Sequence, residues 1–452
     1  MTRTPESPSP EPTLKQVAAA HRAGRMGEAR AACEQILAQS PDDGDARMWL
    51  GLIAMAERRW ADAITAFDRA LQIRVDPFTL VNLGTCYAKM GRLKDAEYCL
   101  RGATQVKSDL VQAHVGLATV LHGLRRFGDA LSQLDIAADL DADYEVDLRR
   151  GCTLVELGRY DEARQAYARS AAGAGSPVYP RLVAFDRSTF ESIAGVGPAV
   201  PPPDVAVADV APDDARGVVL VSFDSSYARK YGFPFLRSYA EHANLSHLVH
   251  VHLFDPDAGI VEEIRNVARK AALGRLTVTT QACPYGPEAP QQRKAYYACG
   301  RFLQLPYWLE RYRRPILSLD ADIIVQAPLD TLFEGAPGTD VRLNPRHPSE
   351  SPWLDVVANV IVAYPTPAAR AYFAAVGNYT LAYLERETDP WFIDQAALFC
   401  VLKMMQRFGE PPAVDWIPQE QQAALWHLGH AYDYLLEDPR FKRYAGPPEG
   451  PQ

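Results

Sequence analysis

Two rhythms of apolar positions divide the chain. Over residues 14–172 they fall on one face of successive helices: after Ala29, Ala63, Ala96, Ala130 and Ala163 a larger side chain follows four residues on (Cys33, Phe67, Leu100, Leu134, Tyr167), and a small or apolar one three residues later (Ile36, Ala70, Ala103, Ala137, Ser170). Offsets of four and seven share a helical face, so this stretch predicts amphipathic helices. From Gly217 onward the pattern changes to short runs rich in β-branched residues: GVVLVSF, LVHVHLF from 248, LTVTT from 276, ILSLD from 316 and VVANVIVAY from 356. Amphipathic stretches such as GIVEEIRNVARKAAL and KAYYACGRFLQLPYWLERY separate them. That alternation predicts a mainly parallel sheet with helices on both faces. Residues 173–215, with GAGSP and GVGPAVPPPDVAVADVAPDD, can continue neither rhythm, because proline at this density breaks helices and favours extended chain. The expectation is a linker there, with one short helix over 181–193 that caps the preceding helical array, and a disordered N-terminus over 1–13.

The helical part is periodic. GRMGEA, RRWADA, GRLKDA, RRFGDA and GRYDEA begin at 24, 58, 91, 125 and 158, and the alanines closing them are 34, 33, 34 and 33 residues apart. Small residues (Gly51, Gly84, Ala118, Gly151) stand upstream where a first helix must approach a second, with Tyr87 following in the third unit. This segment resembles the tetratricopeptide-repeat (TPR) family, in five repeats over 14–172. The resemblance implies an all-α solenoid whose stacked repeats share one core and form a groove for a protein or peptide. Cys86, Cys99 and Cys152 fall within the predicted helices and read as small core residues.

Composition narrows the partners. With 452 residues, 48% of them apolar, the chain can fill more than one core. Fifty-six Asp and Glu against 47 Lys and Arg leave no basic field to gather nucleic acid. No apolar run reaches the length of a membrane span, and MTRTPESPSPEPT lacks the basic and apolar regions of a signal peptide, so a cytoplasmic protein is expected. Seven scattered cysteines, without C-x-x-C spacing, suggest neither zinc nor a disulfide framework. The two N-x-S/T strings, at Asn244 and Asn378, therefore carry no weight as glycosylation sites.

Chemistry-bearing residues cluster at the predicted strand ends. Asp320 and Asp322 flank Ala321 between ILSL and IIV, placing two hard carboxylates at the edge of a buried sheet. Such a pair suits Mg²⁺ or Mn²⁺, which can bridge diphosphate oxygens. The identical letters at Asp141-Ala142-Asp143 lie in a turn of the helical array and serve as an internal control. Around Asp320, SLDADIIVQAPLDTLF and the run Phe223-Asp224-Ser225-Ser226-Tyr227 resemble retaining GT-A glycosyltransferases of family 8, the glycogenin and lipopolysaccharide galactosyltransferase type. The resemblance covers about residues 217–432, with Ser238 in the helix after the first strand, and implies an α/β GT-A domain over 216–445. It implies that Asp224 and Tyr227 contact a nucleoside, usually uridine, that Arg301 and Lys294 meet phosphate, and that Asn359 faces the sugar. It further implies that Asp394-Gln395 lies beside the anomeric carbon and that His427 completes a metal site with Asp320 and Asp322. His430 is the rival for that last role. The late motif departs from the family pattern: one residue fewer separates His427 from Gly429, K-P-W is absent, and Val360 stands where a glycine often follows the asparagine.

These features together lead to an expected metal-dependent transferase that moves a hexosyl group from a nucleotide sugar, UDP-linked by resemblance, to a protein presented by the TPR groove. The alternative is a TPR adaptor with a degenerate, non-catalytic GT-A domain. A nucleotidyltransferase is the third reading, and FDSSYARKYG is a poor version of its glycine-rich loop. Asp224, Asn359 and Asp394 also suit plain structural roles at element ends.

Overall fold

The computed structural model describes residues 13–141, 143–173, 179–195, 204–207, 215–243, 246–320, 322–345, 356–386, 392–427 and 438–445. The chain divides into two compact units, Met1–Ser176 and Pro177–Gln452.

The described residues of the first unit form ten helices in antiparallel pairs: α1 (Leu14–Arg22), α2 (Met26–Gln39), α3 (Gly44–Ala56), α4 (Trp60–Ile73), α5 (Pro77–Lys89), α6 (Leu93–Val106), α7 (Val111–Gly123), α8 (Phe127–Leu140), α9 (Tyr144–Glu156) and α10 (Tyr160–Ala172). The repeated phrase makes the turn inside each pair. Its first residue adopts positive φ (Gly24, Arg58, Gly91, Arg125, Gly158). Glycine takes that conformation freely and arginine only under strain. The arginine that follows precedes the second helix and pairs with the acid three residues on: Arg25–Glu28, Arg59–Asp62, Arg92–Asp95, Arg126–Asp129 and Arg159–Glu162, at 2.5–2.8 Å. These pairs are exposed and screened by water, so they add little to stability. Burial contributes more. All five closing alanines are fully buried, and the side chains four residues on are almost completely so. A methyl group at Gly51 would meet the Phe67 ring at 2.4 Å, and one at Gly151 the Tyr167 ring at 2.5 Å, so those helix pairs need glycine. Thr13, expected in the disordered terminus, instead caps α1 in a capping box with Gln16. Asp143 of the control triplet caps α9, accepting from the Val146 amide at 2.8 Å.

In the second unit, α11 (Arg187–Ile193) and β1 (Asp204–Val207) come first, then β2 (Val218–Asp224), α12 (Ser225–Tyr227), α13 (Phe233–His242), β3 (Leu248–Phe254), α14 (Ile260–Lys270), β4 (Leu276–Gln281), α15 (Pro290–Leu303), α16 (Leu305–Tyr312), β5 (Ile316–Leu319), β6 (Ile323–Val325), β7 (Val341–Pro345), β8 (Val356–Ala363), α17 (Pro367–Leu384), α18 (Ile393–Phe408), β9 (Val414–Trp416), α19 (Gln419–Gln422), β10 (Leu425–His427) and α20 (Pro439–Ala445). The main sheet runs β1-β4-β3-β2-β5-β8-β7-β9, and β10 pairs with β6 in a separate ribbon. β2, β3, β4 and β5 are mutually parallel, whereas β8 runs antiparallel to both β5 and β7. The expectation of parallel alternation therefore holds for the first four of the recognised strands and fails for VVANVIVAY. Among the described residues no helix separates β7 from β8, so nothing imposes the crossover that parallel neighbours require.

The short helix expected over 181–193 packs within the second unit. It is α11, and with the 3₁₀ turn Tyr179–Leu182 it forms a strap on α17 and α18 of the second unit. The Tyr379 hydroxyl donates to the Leu182 carbonyl at 2.5 Å and accepts from the Ala184 amide at 3.0 Å, and Asn378 donates to the Ile193 carbonyl. Phe185 meets Phe399 edge-on, and Phe190 lies against Phe408. The reason is apolar surface: Leu182, Phe185 and Ile193 are each at most 2% exposed in that seat.

Candidate functional site

β2 lies between β3 on one side and β5 on the other, so the strand order reverses direction there. In open α/β sheets the crevice beyond the carboxyl ends at such a point is where ligands bind. Asp224 ends β2, and Asp320 follows the last residue of β5. The sequence folds this way because β2 is a run of buried apolar side chains that ends at the first half-exposed carboxylate.

Asp224 accepts from the Tyr227 amide at 2.7 Å and so caps α12, the structural role open to it from the sequence. Tyr227 is thereby held beside the carboxylate pair. Its hydroxyl pKa is raised, first by burial and then by the charges of Asp322 and Asp320. The Asp320 amide donates to the Asn359 carbonyl at 2.9 Å, stitching the end of β5 to β8. Arg301, on α15, donates to Asp320 Oδ1 at 2.5 Å and to the Ala358 carbonyl at 2.8 Å. Only 2% of its side chain is exposed, and its Nε is buried without a partner. Asp322 is 4% exposed.

His427 reaches the same place through the β10·β6 ribbon, where it faces Ile323 next to Asp322. Burial lowers its pKa, with Asp320 opposing, so the imidazole is biased to the neutral form. The Asn359 side-chain amide lies 3.3–3.4 Å from its ring nitrogens. Asp394 stands in the first turn of α18, with Phe392 rather than Asp394 at the cap position, and accepts from the Gln395 amide at 2.8 Å. The thiol of Cys299 on α15 is pushed up by burial and then by Asp394, with Arg301 opposing and Asp320 adding to it, which puts all four groups in one neighbourhood. Lys294 is apart: it lies on the exposed face of α15, seven residues and about 10 Å along the helix from Arg301. Leu428, Gly429 and His430 lie outside the described residues.

Asn344 was not anticipated. It sits in β7 beside a register shift, 3% exposed, and donates to Asn359 Oδ1 at 2.7 Å while its own Oδ1 is buried without a donor. Gln395 Oε1 is likewise a buried acceptor without a donor. In VRLNP the alternation puts Asn344 on the same face as Arg342, so the sequence reads both as outward polar positions although both are buried.

Behind the site, α15 and α16 are fastened to the sheet by a polar network. Thr279 Oγ lies 2.8 Å from His250 Nε2 and 2.9 Å from His252 Nδ1. His250 Nδ1 meets the Tyr312 hydroxyl at 3.2 Å, and Gln281 joins His252, Gln304 and Tyr296. A cavity of about 270 Å³ lined by Arg237, Ala240, Glu241, Ala271, Arg443 and Tyr444 lies elsewhere, beside α13 and α20, and contains none of these groups.

Comparison with known proteins bears on the first unit. Residues 14–76 and 115–180 match the tetratricopeptide-repeat family model. The first unit is a tetratricopeptide-repeat solenoid. Over 87 residues the chain is 30% identical to the mitochondrial import receptor subunit TOM70 of Saccharomyces cerevisiae, a match spanning 19% of this chain and 14% of that protein. Similar solved structures include YrrB, described as a TPR protein with an unusual peptide-binding site (16% identity, TM-score 0.33, 37% of this chain and 88% of that one). Another is PilF of Pseudomonas aeruginosa (20% identity, TM-score 0.36, 37% and 78%). TPR arrays bind proteins or peptides, so protein–protein interaction is the function this unit supports. Among the described residues no helix is long and apolar enough to cross a membrane.

Proposed function

We propose that the α/β unit transfers a hexosyl group from a nucleotide sugar to a protein or peptide held by the TPR solenoid. The observation that carries this reading is the meeting of Asp320, Asp322, Arg301, Asn359 and His427 at the point where the sheet reverses its strand order, with Asp394 close by. Two buried acceptors without donors, Asn344 Oδ1 and Gln395 Oε1, support it, because sugar hydroxyls are donors that would satisfy them.

The charge balance bears on a metal. Asp224, Asp320, Asp322 and Asp394 outnumber Arg301, so a diphosphate meets a net negative site unless a cation accompanies it. Among the described residues no three His, Cys, Asp or Glu are grouped to hold a metal. Two carboxylates nevertheless suit Mg²⁺ or Mn²⁺, which are commonly held by one or two carboxylates with the remaining positions filled by water and phosphate oxygens. Asp320 and Asp322 would hold the ion, and when bound it would offset the charge of a departing nucleoside diphosphate. Arg301 would add fixed positive charge from a buried, nearly water-free position. Tyr227 offers an aromatic face for the base, and Asp394, at the start of α18, would act on the reacting sugar. The solenoid contributes effective concentration of the acceptor.

The test is a donor panel with the full chain and Mn²⁺, scored by released nucleoside diphosphate. One donor should be turned over, and Asp394→Asn should lower kcat with little change in donor Kd. If calorimetry finds that neither UDP nor Mn²⁺ binds, the α/β unit is no transferase and the chain is a TPR adaptor.

A further inference from the structure

Arg301 occupies an unusual position for a group that helps bind an anion. One of its terminal nitrogens is already committed to Asp320, one of the two carboxylates that would hold the cation, and the other to the Ala358 carbonyl. Its third nitrogen, Nε, is buried with no acceptor. A guanidinium that is 2% exposed cannot look to water for compensation, so its hydrogen bonds must be made within the site. Asp320 is also the more accessible of the two carboxylates: its side chain is 25% exposed, whereas Asp322 is 4% exposed. A cation arriving alone therefore meets Asp320 already neutralised, with a fixed positive charge 2.5 Å from the oxygen it needs.

We propose that Arg301 is an exchangeable counter-ion. Without donor it neutralises Asp320; when a nucleoside diphosphate arrives with its divalent cation, the cation takes Asp320 and the guanidinium turns its N–H groups to the phosphate oxygens. No charge is left without a counter-charge in either state: the Asp320 carboxylate passes from the guanidinium to the incoming cation, and the freed guanidinium takes the incoming phosphate oxygens. The proposal rests on the transferase reading above and adds a sign to it: Arg301 opposes the cation when it comes alone and favours the nucleotide. Cation and nucleotide then bind with positive coupling, to which this side chain adds beyond their direct contact.

The experiment measures binding rather than turnover. Mn²⁺ alone (by electron paramagnetic resonance), UDP alone, and UDP with Mn²⁺ (by calorimetry) are titrated into the full chain and its Arg301→Gln and Arg301→Lys variants, with thermal melting as a check on folding. Arg301→Gln should bind Mn²⁺ alone at least about fivefold tighter than wild type and UDP with Mn²⁺ at least about fivefold weaker, reducing the coupling to what direct contact between cation and diphosphate supplies. Arg301→Lys keeps the charge but not the planar fork; it should weaken UDP binding while leaving Mn²⁺ affinity nearer that of wild type, and it decides the matter if the glutamine variant does not fold. Equal weakening of both ligands, or unchanged Mn²⁺ affinity in the glutamine variant, would overturn the exchange and leave Arg301 as a structural brace. A wild-type chain that binds neither ligand would instead remove the transferase reading itself.

Discussion

Replacing Thr279 by valine should open the β3·β4 half of the sheet. Hydrogen-bond chemistry gives the network behind α15 a single direction. Gln281 Oε1 can only accept, so His252 must carry its proton on Nε2, 3.2 Å away, and its Nδ1 must accept. The Thr279 hydroxyl then donates to His252 Nδ1, its oxygen accepts from His250 Nε2, and His250 Nδ1 accepts from Tyr312. Valine keeps the shape and strand preference of threonine but strands two imidazole nitrogens in a fully buried place, at about 1–3 kcal/mol each, or about 2–6 kcal/mol together. Hydrogen exchange of the β3 and β4 peptides in the full chain should accelerate by at least about 30-fold. Ser318→Ala on β5, separated from β3 by β2, is the control. That hydroxyl is fully buried without a partner, and its removal should be neutral or slightly stabilising. Equal effects of the two substitutions would refute the directed network. The same network sets a pH dependence. Burial pushes His250 well below its ordinary value, with His252 and Arg311 adding to the effect, and pushes His252 down to about 4. Both are held neutral when folded, so the unfolded chain binds more protons. Their stabilisation is present above the ordinary value of 6.5 and is lost as the pH falls toward about 4.

Two further outcomes test the frame that carries the site. Gly51→Ala or Gly151→Ala should destabilise the solenoid by about 1–3 kcal/mol, read in its urea midpoint, because the new methyl must displace an aromatic ring. Phe185→Ala should cost the second unit about 3–5 kcal/mol, and an unchanged unfolding midpoint of that unit would refute the seat on α18.

What could be read from the sequence was what depends on near neighbours. Each repeat carries its own turn, ion pair and closing alanine within six residues, so five copies announced themselves. The parallel strands were legible because β2 and β3 are buried on both faces and read as apolar runs. Asp320 and Asp322 stood out by their place at the end of such a run. Long-range contacts were hidden. Nothing in VVANVIVAY tells which way it enters the sheet, and nothing near Asn344 shows that it will meet Asn359 across a strand pair. The seat of the strap was hidden for the same reason: its amphipathic pattern shows a face to bury, but partners for it lie in α17 and α18, about 200 residues away.

That separation gives the chain a timetable. Ribosomes deliver roughly 5–20 residues per second, so the solenoid, whose contacts join adjacent repeats, can fold while the rest is still being made. Phe185 and Phe190 emerge next and must wait for Phe399 and Phe408, about 210–220 residues later, for roughly 10–40 seconds. During that interval a completed repeat array is followed by uncovered aromatic residues. The nascent chain is then most exposed to chaperones and proteases, well before the last strand of the sheet has been synthesised.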